Sequence, residues 1–434
     1  MTQTSTPYDF DFAIAGGGPA GSSAAIALAQ HGHAVVLFER DTFPRFHIGE
    51  SLLSSANDAF AILGVADQVE AARFPVKWGA RLLTHDGRSG RGVEFADVRG
   101  LTRPQTYQVR RDDFDKILLD RARELGVDVR EGTRVTACDF APDAVTIEAS
   151  PAAGGTATSV CVRAVVDATG RAGLIARKFN LRSDEPLLAN IAIFSHYSNV
   201  PRLGGPAPND IRIISRNDAG WFWLIPVSDD LMSVGVVLPT KLYQEMPEGS
   251  SEERLQRAIA DTPVVAALMK SAERQWPVRV EKDFSYSASA YAGDRWILAG
   301  DAGSFLDPVF STGVSIAMES GIEAADELDR ARRTNDYSVR SFHAFSRRQR
   351  KRFRTFRRFV IGFYTPEFRD LFFSPQPPQI LFRAVVTILA GKWDPGPWTN
   401  LLNRIFFGFV ALQKRFSLSR TRFRRDAGAG YPQS

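Results

Sequence analysis

The stretch DFDFAIAGGGPAGSSAAIALAQHGHAVVLFER, Asp9 to Arg40, carries the decision about fold. Its apolar start, FDFAIAG, predicts a buried strand ending at Gly16. GSSAAIALAQHG predicts a helix stopped at Gly32, and HAVVLFER a second buried strand. Strand, glycine loop, helix and strand together make a βαβ unit, the context in which G-x-G-x-x-G carries meaning. Gly16 permits the tight turn, Gly18 lets backbone approach a pyrophosphate, and Gly21 allows close helix–strand packing. Pro19 and Ala20 open the helix, whose free N–H groups and dipole favour an anion. Glu39 ends the second strand, placed to accept hydrogen bonds from a ribose, and Arg40 follows it.

Working outward, the 434 residues hold 54 Lys and Arg against 49 Asp and Glu, with 44% hydrophobic residues. That composition fits a globular chain of two or three domains. Two cysteines, Cys138 and Cys161, exclude a disulfide scaffold and suit a reducing compartment. With no leader pattern at the start and no apolar run of membrane-spanning length, the expected location is the cytoplasm. From Ser341 onward the chain holds 18 basic and 4 acidic residues, which leaves 36 against 45 in the remainder. A basic tail on an acidic body suggests an acidic partner. The tail also holds 15 of the 31 phenylalanines.

The pattern predicts an α/β fold: a Rossmann-like nucleotide-binding domain, discontinuous over residues 1–75, 105–185 and 280–340. Into it is inserted a β-rich substrate domain, residues 76–104 and 186–279, where short strands such as DIRIIS and LMSVGVVL alternate with turns. Residues 341–434 form a helical, basic C-terminal region. The six histidines show no metal-ligand spacing, and no Ser-His-Asp order is apparent, so no metal is expected.

Three further segments carry a resemblance. VDATGR (Val166 to Arg171), ILAGDAGSFLDPVFSTGVSIAMESG and QVRRDDFDKIL are similar to signatures of FAD-containing aromatic monooxygenases. The resemblance implies FAD as cofactor, with Asp301 on the ribityl chain and Gly300 allowing close backbone approach. It also implies contributions from Ser51, Arg111, Asp167 and Gly170. Within that class, FHIGESLL, FPVKWGA, GWFWLIPV and DPVFSTGVS resemble the flavin-dependent halogenases and their oxygenase relatives, which include tryptophylquinone-maturing monooxygenases. By this resemblance Lys77 matches the lysine that handles hypohalous acid. Trp221 and Trp223 belong to a Trp-x-Trp-x-Ile-Pro hallmark, and Thr312 and Gly313 match a halide-contacting pair. Pro308, Phe310, Ser311 and Val314 complete that loop.

Bland readings stand beside these. Two tryptophans spaced by two share a strand face and suit a core. A lysine beside Trp78 suits a surface. The Thr312 loop suits a cradle for a flavin ring. Ser54 departs from the proline many relatives carry, and the chain has no room for the long insertions of free-tryptophan halogenases.

The expected activity is a monooxygenase reaction of reduced FAD with O2, hydroxylating an indole or phenol ring borne on an acidic peptide or carrier protein. A tryptophan in quinone-cofactor formation fits that expectation. The alternative is a halogenase using chloride or another halide and Lys77 on a phenol, pyrrole or indole. A nucleic-acid-binding flavoprotein is the least favoured reading, because the tail phenylalanines recur at helical spacing. One glycine loop serves one dinucleotide, so NAD(P)H reduces the flavin from elsewhere or through a partner reductase.

Overall fold

The computed structural model describes residues 8–218, 220–374, 377–416 and 418. Two large sheets organise the chain. The first runs in the order Ala292–Gly293, Trp296–Leu298, Thr158–Asp167, Phe10–Ala15, Val35–Phe38, Asp128–Arg130, and the hairpin Thr133–Phe140/Val145–Pro151 joins at Thr158–Asp167. Its central pairings are parallel. Phe12, Ile14, Val36, Leu37, Val165 and Val166 are all essentially unexposed, because helices and the hairpin cover both faces of a parallel sheet.

The helix Pro19–Gln30 lies against the long helix Gly313–Thr334. Gly321 makes that approach possible: a Cβ there would sit 2.2 Å from the Ala20 carbonyl oxygen. The crossing packs the long helix against the first turn after the glycine loop, at Ala20 and Ala24.

The second sheet runs Ser304–Phe305, Arg279–Ala288, Arg182–Ser198, Met232–Pro239, Trp221–Pro226, Ile211–Ser215, Gly79–Leu83, Gly90–Glu94. Strands Arg279–Ala288 and Ser304–Phe305 belong to it, although the sequence pattern assigns residues 280–340 to the nucleotide domain. An alternating pattern identifies a strand but says nothing about its partner, and Arg279–Ala288 finds its partner in Arg182–Ser198. Val76–Lys77 pairs with Thr106–Tyr107 in a separate two-stranded sheet.

Four C-terminal helices follow, Ala-poor and Phe-rich: His343–Phe363, Pro366–Phe372, Gln379–Leu389 and Pro397–Gln413. Phe356, Phe359, Phe363, Phe368 and Phe372 are at most 2% exposed and pack in one cluster with Trp221, Trp223 and Phe310. Each such ring contributes roughly 2 kcal/mol by leaving water, which ties these helices to the second sheet. The basic motif KRFSLSRTRFRR lies, beyond its first residues, outside the described residues. Among the described residues no helix is long and apolar enough to cross a membrane, and no cluster of His, Cys, Asp and Glu is arranged to hold a metal.

Candidate active site

The glycine loop has the shape of a pyrophosphate cradle. Gly16 sits at φ +104°, and a Cβ on Gly21 would lie 1.8 Å from the Gly16 carbonyl oxygen. The helix from Pro19 has no side-chain cap and no acid in its first turn, so its N–H groups remain for an anion. Glu39 is buried and fixed: its Oε2 accepts from Gly17 N at 2.7 Å and its Oε1 from Asp41 N at 2.9 Å. Arg40 points away, exposed beside Asp41. Sequence reasoning missed Arg45. Its Nη2 lies 3.5 Å from where a Gly18 Cβ would stand, and Asp115 holds its Nη1 at 3.0 Å. Proximity in space is the signal for it, since a helix and a strand separate the residue from the motif.

Arg111 is buried, but its guanidinium is spent on Asp115 at 2.7 and 2.8 Å and on the Ile48 carbonyl. It therefore shapes the loop over residues 45–49. Asp167 is likewise internal, accepting from Thr169 N, Thr169 Oγ1 and Ile175 N. It fixes the turn through Gly170 (φ +62°) beside Gly16.

Asp301 is different. Burial pushes its carboxyl up to about 6, only partly offset by Arg171 and Arg111, and no described residue donates a hydrogen bond to its oxygens. The residue is half-buried, so its carboxylate remains able to accept from solvent or from a ligand. Gly300, at φ +59°, holds the turn. Asp301, Thr312, Gly313 and Arg352 line one small cleft. Thr312 is buried, Val314 packs nearby, and Gly313 is exposed with open space where a Cβ would be. Pro308 starts a single 3₁₀ turn capped by Asp307, and Ser311 ends it in the left-handed region at φ +57°. A cradle at one end and a half-buried carboxylate beside an open loop at the other fit a flavin dinucleotide.

Lys77 is 1% exposed, while its neighbour Trp78 is on the surface. The surface reading of the lysine therefore fails. Its Nζ donates to Ser51 Oγ at 2.8 Å and to the Leu52 carbonyl at 2.7 Å. Ser51, expected at the cofactor, thus serves the lysine. Desolvation lowers the ammonium to about 7, with Asp210 pulling the other way. Asp210 itself accepts from Trp78 N and Gly79 N and pairs with Arg81.

Trp221 and Trp223 share one sheet face, ring centroids 6.0 Å apart. Trp223 donates to Ser233 Oγ at 3.1 Å and lies across Gly235, where a Cβ would meet the indole at 2.2 Å. Trp221 donates to Tyr364 Oη at 2.7 Å, and Tyr364 donates to Asp307 Oδ2 at 2.7 Å. Asn190 Nδ2 donates to the same carboxylate at 2.8 Å. Burial raises Asp307 to about 6 against these donors. Phe310 meets Phe363 edge-on at 5.7 Å. Sheet, flavin loop and C-terminal helices are therefore joined at one polar knot, of which the sequence reading named only Trp221.

The model of the FAD binding domain matches residues 9–336. The 1H-pyrrole-2-carbonyl peptidyl-carrier-protein chlorinase of Pseudomonas fluorescens is 32% identical over 381 residues, covering 82% of this chain and 84% of that one. The corresponding brominase of Pseudoalteromonas luteoviolacea is 35% identical over 341 residues, covering 77% and 81%. The chain belongs to the flavin-dependent halogenase family. A solved triple mutant of a flavin-dependent brominase shares the halogenase fold with TM-score 0.82 at 30% identity, over 92% of this chain and 99% of that one.

The chain is thus an FAD-dependent enzyme of the oxidoreductase class. Membership corrects the expectation of hydroxylation, of a quinone-cofactor tryptophan or any other ring, because the pyrrolyl-carrier-protein and tryptophan relatives are named as halogenases. An expectation of hydroxylation weighs cofactor chemistry alone and leaves out what the protein places in the oxidant's way.

Proposed function

We propose that this enzyme halogenates an electron-rich ring, a pyrrole carried as its 2-carbonyl thioester on a carrier protein being the first candidate, with Lys77 delivering the halogen. The observation that carries the reading is Lys77 itself: a fully buried lysine clamped by Ser51 and Leu52 within a halogenase fold.

The glycine loop, the helix start at Pro19, Glu39 and Arg45 would hold the adenosine and pyrophosphate end of FAD. Asp301 would accept from the ribityl hydroxyls. When bound and reduced, FAD supplies the electrons by which O2 oxidises a halide to hypohalous acid. Thr312 and Gly313 form the open loop where a halide would sit, at the start of a helix whose dipole favours an anion. Lys77 has three N–H groups, two of them engaged within the protein. The third donates to the oxygen of hypohalous acid and polarises the O–X bond; as that bond breaks the halogen bonds to the ring, and the hydroxide left behind takes up the proton the ring releases and leaves as water. Trp221 and Trp223 wall the sheet side and exclude water. The basic, Phe-packed C-terminal region suits an acidic carrier. Reducing equivalents come from NAD(P)H through a separate reductase, because one dinucleotide loop is filled by FAD.

Purified protein would be supplied with FAD, a flavin reductase, NADH, O2 and chloride or bromide, with pyrrolyl carrier protein and free pyrrole-2-carboxylate as parallel substrates. Mass spectrometry is expected to show halogen gained on the carrier-bound ring and lost in Lys77→Ala, while NADH oxidation continues. Oxygen gained without halogen, or halogenation undiminished in Lys77→Ala, refutes the reading.

A further inference from the structure

A second buried ionisable pair lies one residue from the lysine clamp. His196, on the long strand Arg182–Ser198, directs Nε2 at Glu50 Oε1 at 2.6 Å; the two side chains are 1% and 3% exposed. The other oxygen, Glu50 Oε2, has no hydrogen-bond partner among the described residues. The imidazole is itself held, with the Trp276 ring 4.1 Å away by centroid and the Phe46 ring edge-on at 6.0 Å. Its strand is anchored as well, since the His196 carbonyl accepts from Gln275 N.

Burying such a pair costs several kcal/mol of desolvation, and an apolar pair of the same volume would pack at least as stably. What the pair adds is direction. Glu50, Ser51 and Leu52 are consecutive, and their backbone is already pinned on one side: Val109 N donates to the Glu50 carbonyl and Leu52 N to the Tyr107 carbonyl. The Glu50 side chain ties the same three residues to the second sheet through His196. Both acceptors of the Lys77 ammonium, Ser51 Oγ and Leu52 O, sit on that doubly tethered segment.

We propose that His196 is a positioning residue of the lysine site: by gripping Glu50 it fixes where Ser51 and Leu52 hold the ammonium, and so where the remaining N–H of Lys77 points. The catalytic consequence rests on the halogenase reading above; the geometric one does not. A misaimed N–H lets hypohalous acid escape, and small displacements of a catalytic group cost about tenfold to a hundredfold.

The test uses FAD-loaded protein with lysine labelled by ¹³C at Cε. The nine lysines of the chain give few signals, and Lys77 is identified by the one missing in Lys77→Met. In His196→Leu the Lys77 signal is expected to move while the other lysines keep their positions, and in His196→Gln, which retains an N–H donor for Glu50, it returns towards its original place. Halogenated product per NADH consumed is expected to fall about tenfold in His196→Leu with KM for the carrier substrate little changed, and to recover in His196→Gln. If His196→Leu does not fold, Glu50→Gln, which removes charge and keeps shape, is read the same way. A Lys77 signal unmoved in the folded variant overturns the proposal whether or not the protein halogenates. A moved signal with no halogenation by the wild-type protein leaves it standing and removes the proposed function instead.

Discussion

Replacing Lys77 with methionine separates a buried charge from everything else at the site. Methionine keeps the length of the stem and does not titrate. Burial lowers the lysine from its ordinary 10.5 to about 7. At about 1.4 kcal/mol per unit, the folded protein disfavours the ammonium by about 5 kcal/mol. The sign follows from proton counts. Between pH 7 and 10.5 the unfolded chain holds the proton and the folded chain does not, so stability rises with pH across that window. Below pH 7 both states are protonated and the full penalty applies. The wild-type protein should therefore gain on Lys77→Met by about 1.4 kcal/mol per pH unit above 7, or about 3 kcal/mol by pH 9.5. The hydrogen bonds lost at Ser51 Oγ and Leu52 O add an offset but no slope, because neither acceptor titrates here. Urea unfolding of both proteins at pH 6, 7.5 and 9.5 reads the difference, in which all other titrations cancel. A difference that stays flat with pH would mean the ammonium is solvated in the folded protein, and the reasoning about Lys77 would fall.

Other perturbations follow from the same contacts. Gly21→Ala would place a methyl 1.8 Å from the Gly16 carbonyl oxygen, so the loop must open; the purified variant should carry no flavin absorbance, and a yellow variant refutes the cradle. Asp301→Ala should weaken FAD binding about tenfold or more, the worth of a hydrogen bond to a charged group, as read by quenching of flavin fluorescence; unchanged affinity removes Asp301 from the site. Tyr364→Phe leaves the Trp221 Nε1–H without its acceptor and takes a donor from buried Asp307, costing about 1–3 kcal/mol. A melting temperature equal to wild type would show that the knot joining sheet, loop and C-terminal helices is not holding them.

The amino-acid sequence by itself determined the βαβ nucleotide unit, which rests on local order, and its further motifs carried the resemblance that implied FAD and the family. Gly16, Gly18 and Gly21 have meaning through their spacing within one turn, and the Trp221/Trp223 pair shares a face through the two-residue period of a strand. Tertiary structure decided whatever depends on partners distant in the chain. It buried Lys77, which the sequence left equally at home on the surface, by bringing Ser51, Leu52 and Asp210 around it. It gave Arg111 and Asp167 internal partners in Asp115 and Ile175, put Arg45 beside Gly18, and joined Glu50 to His196 across 146 residues. A side chain's charge state and aim are set by its desolvation and its hydrogen-bond partners, and neither exists until the chain has closed on itself.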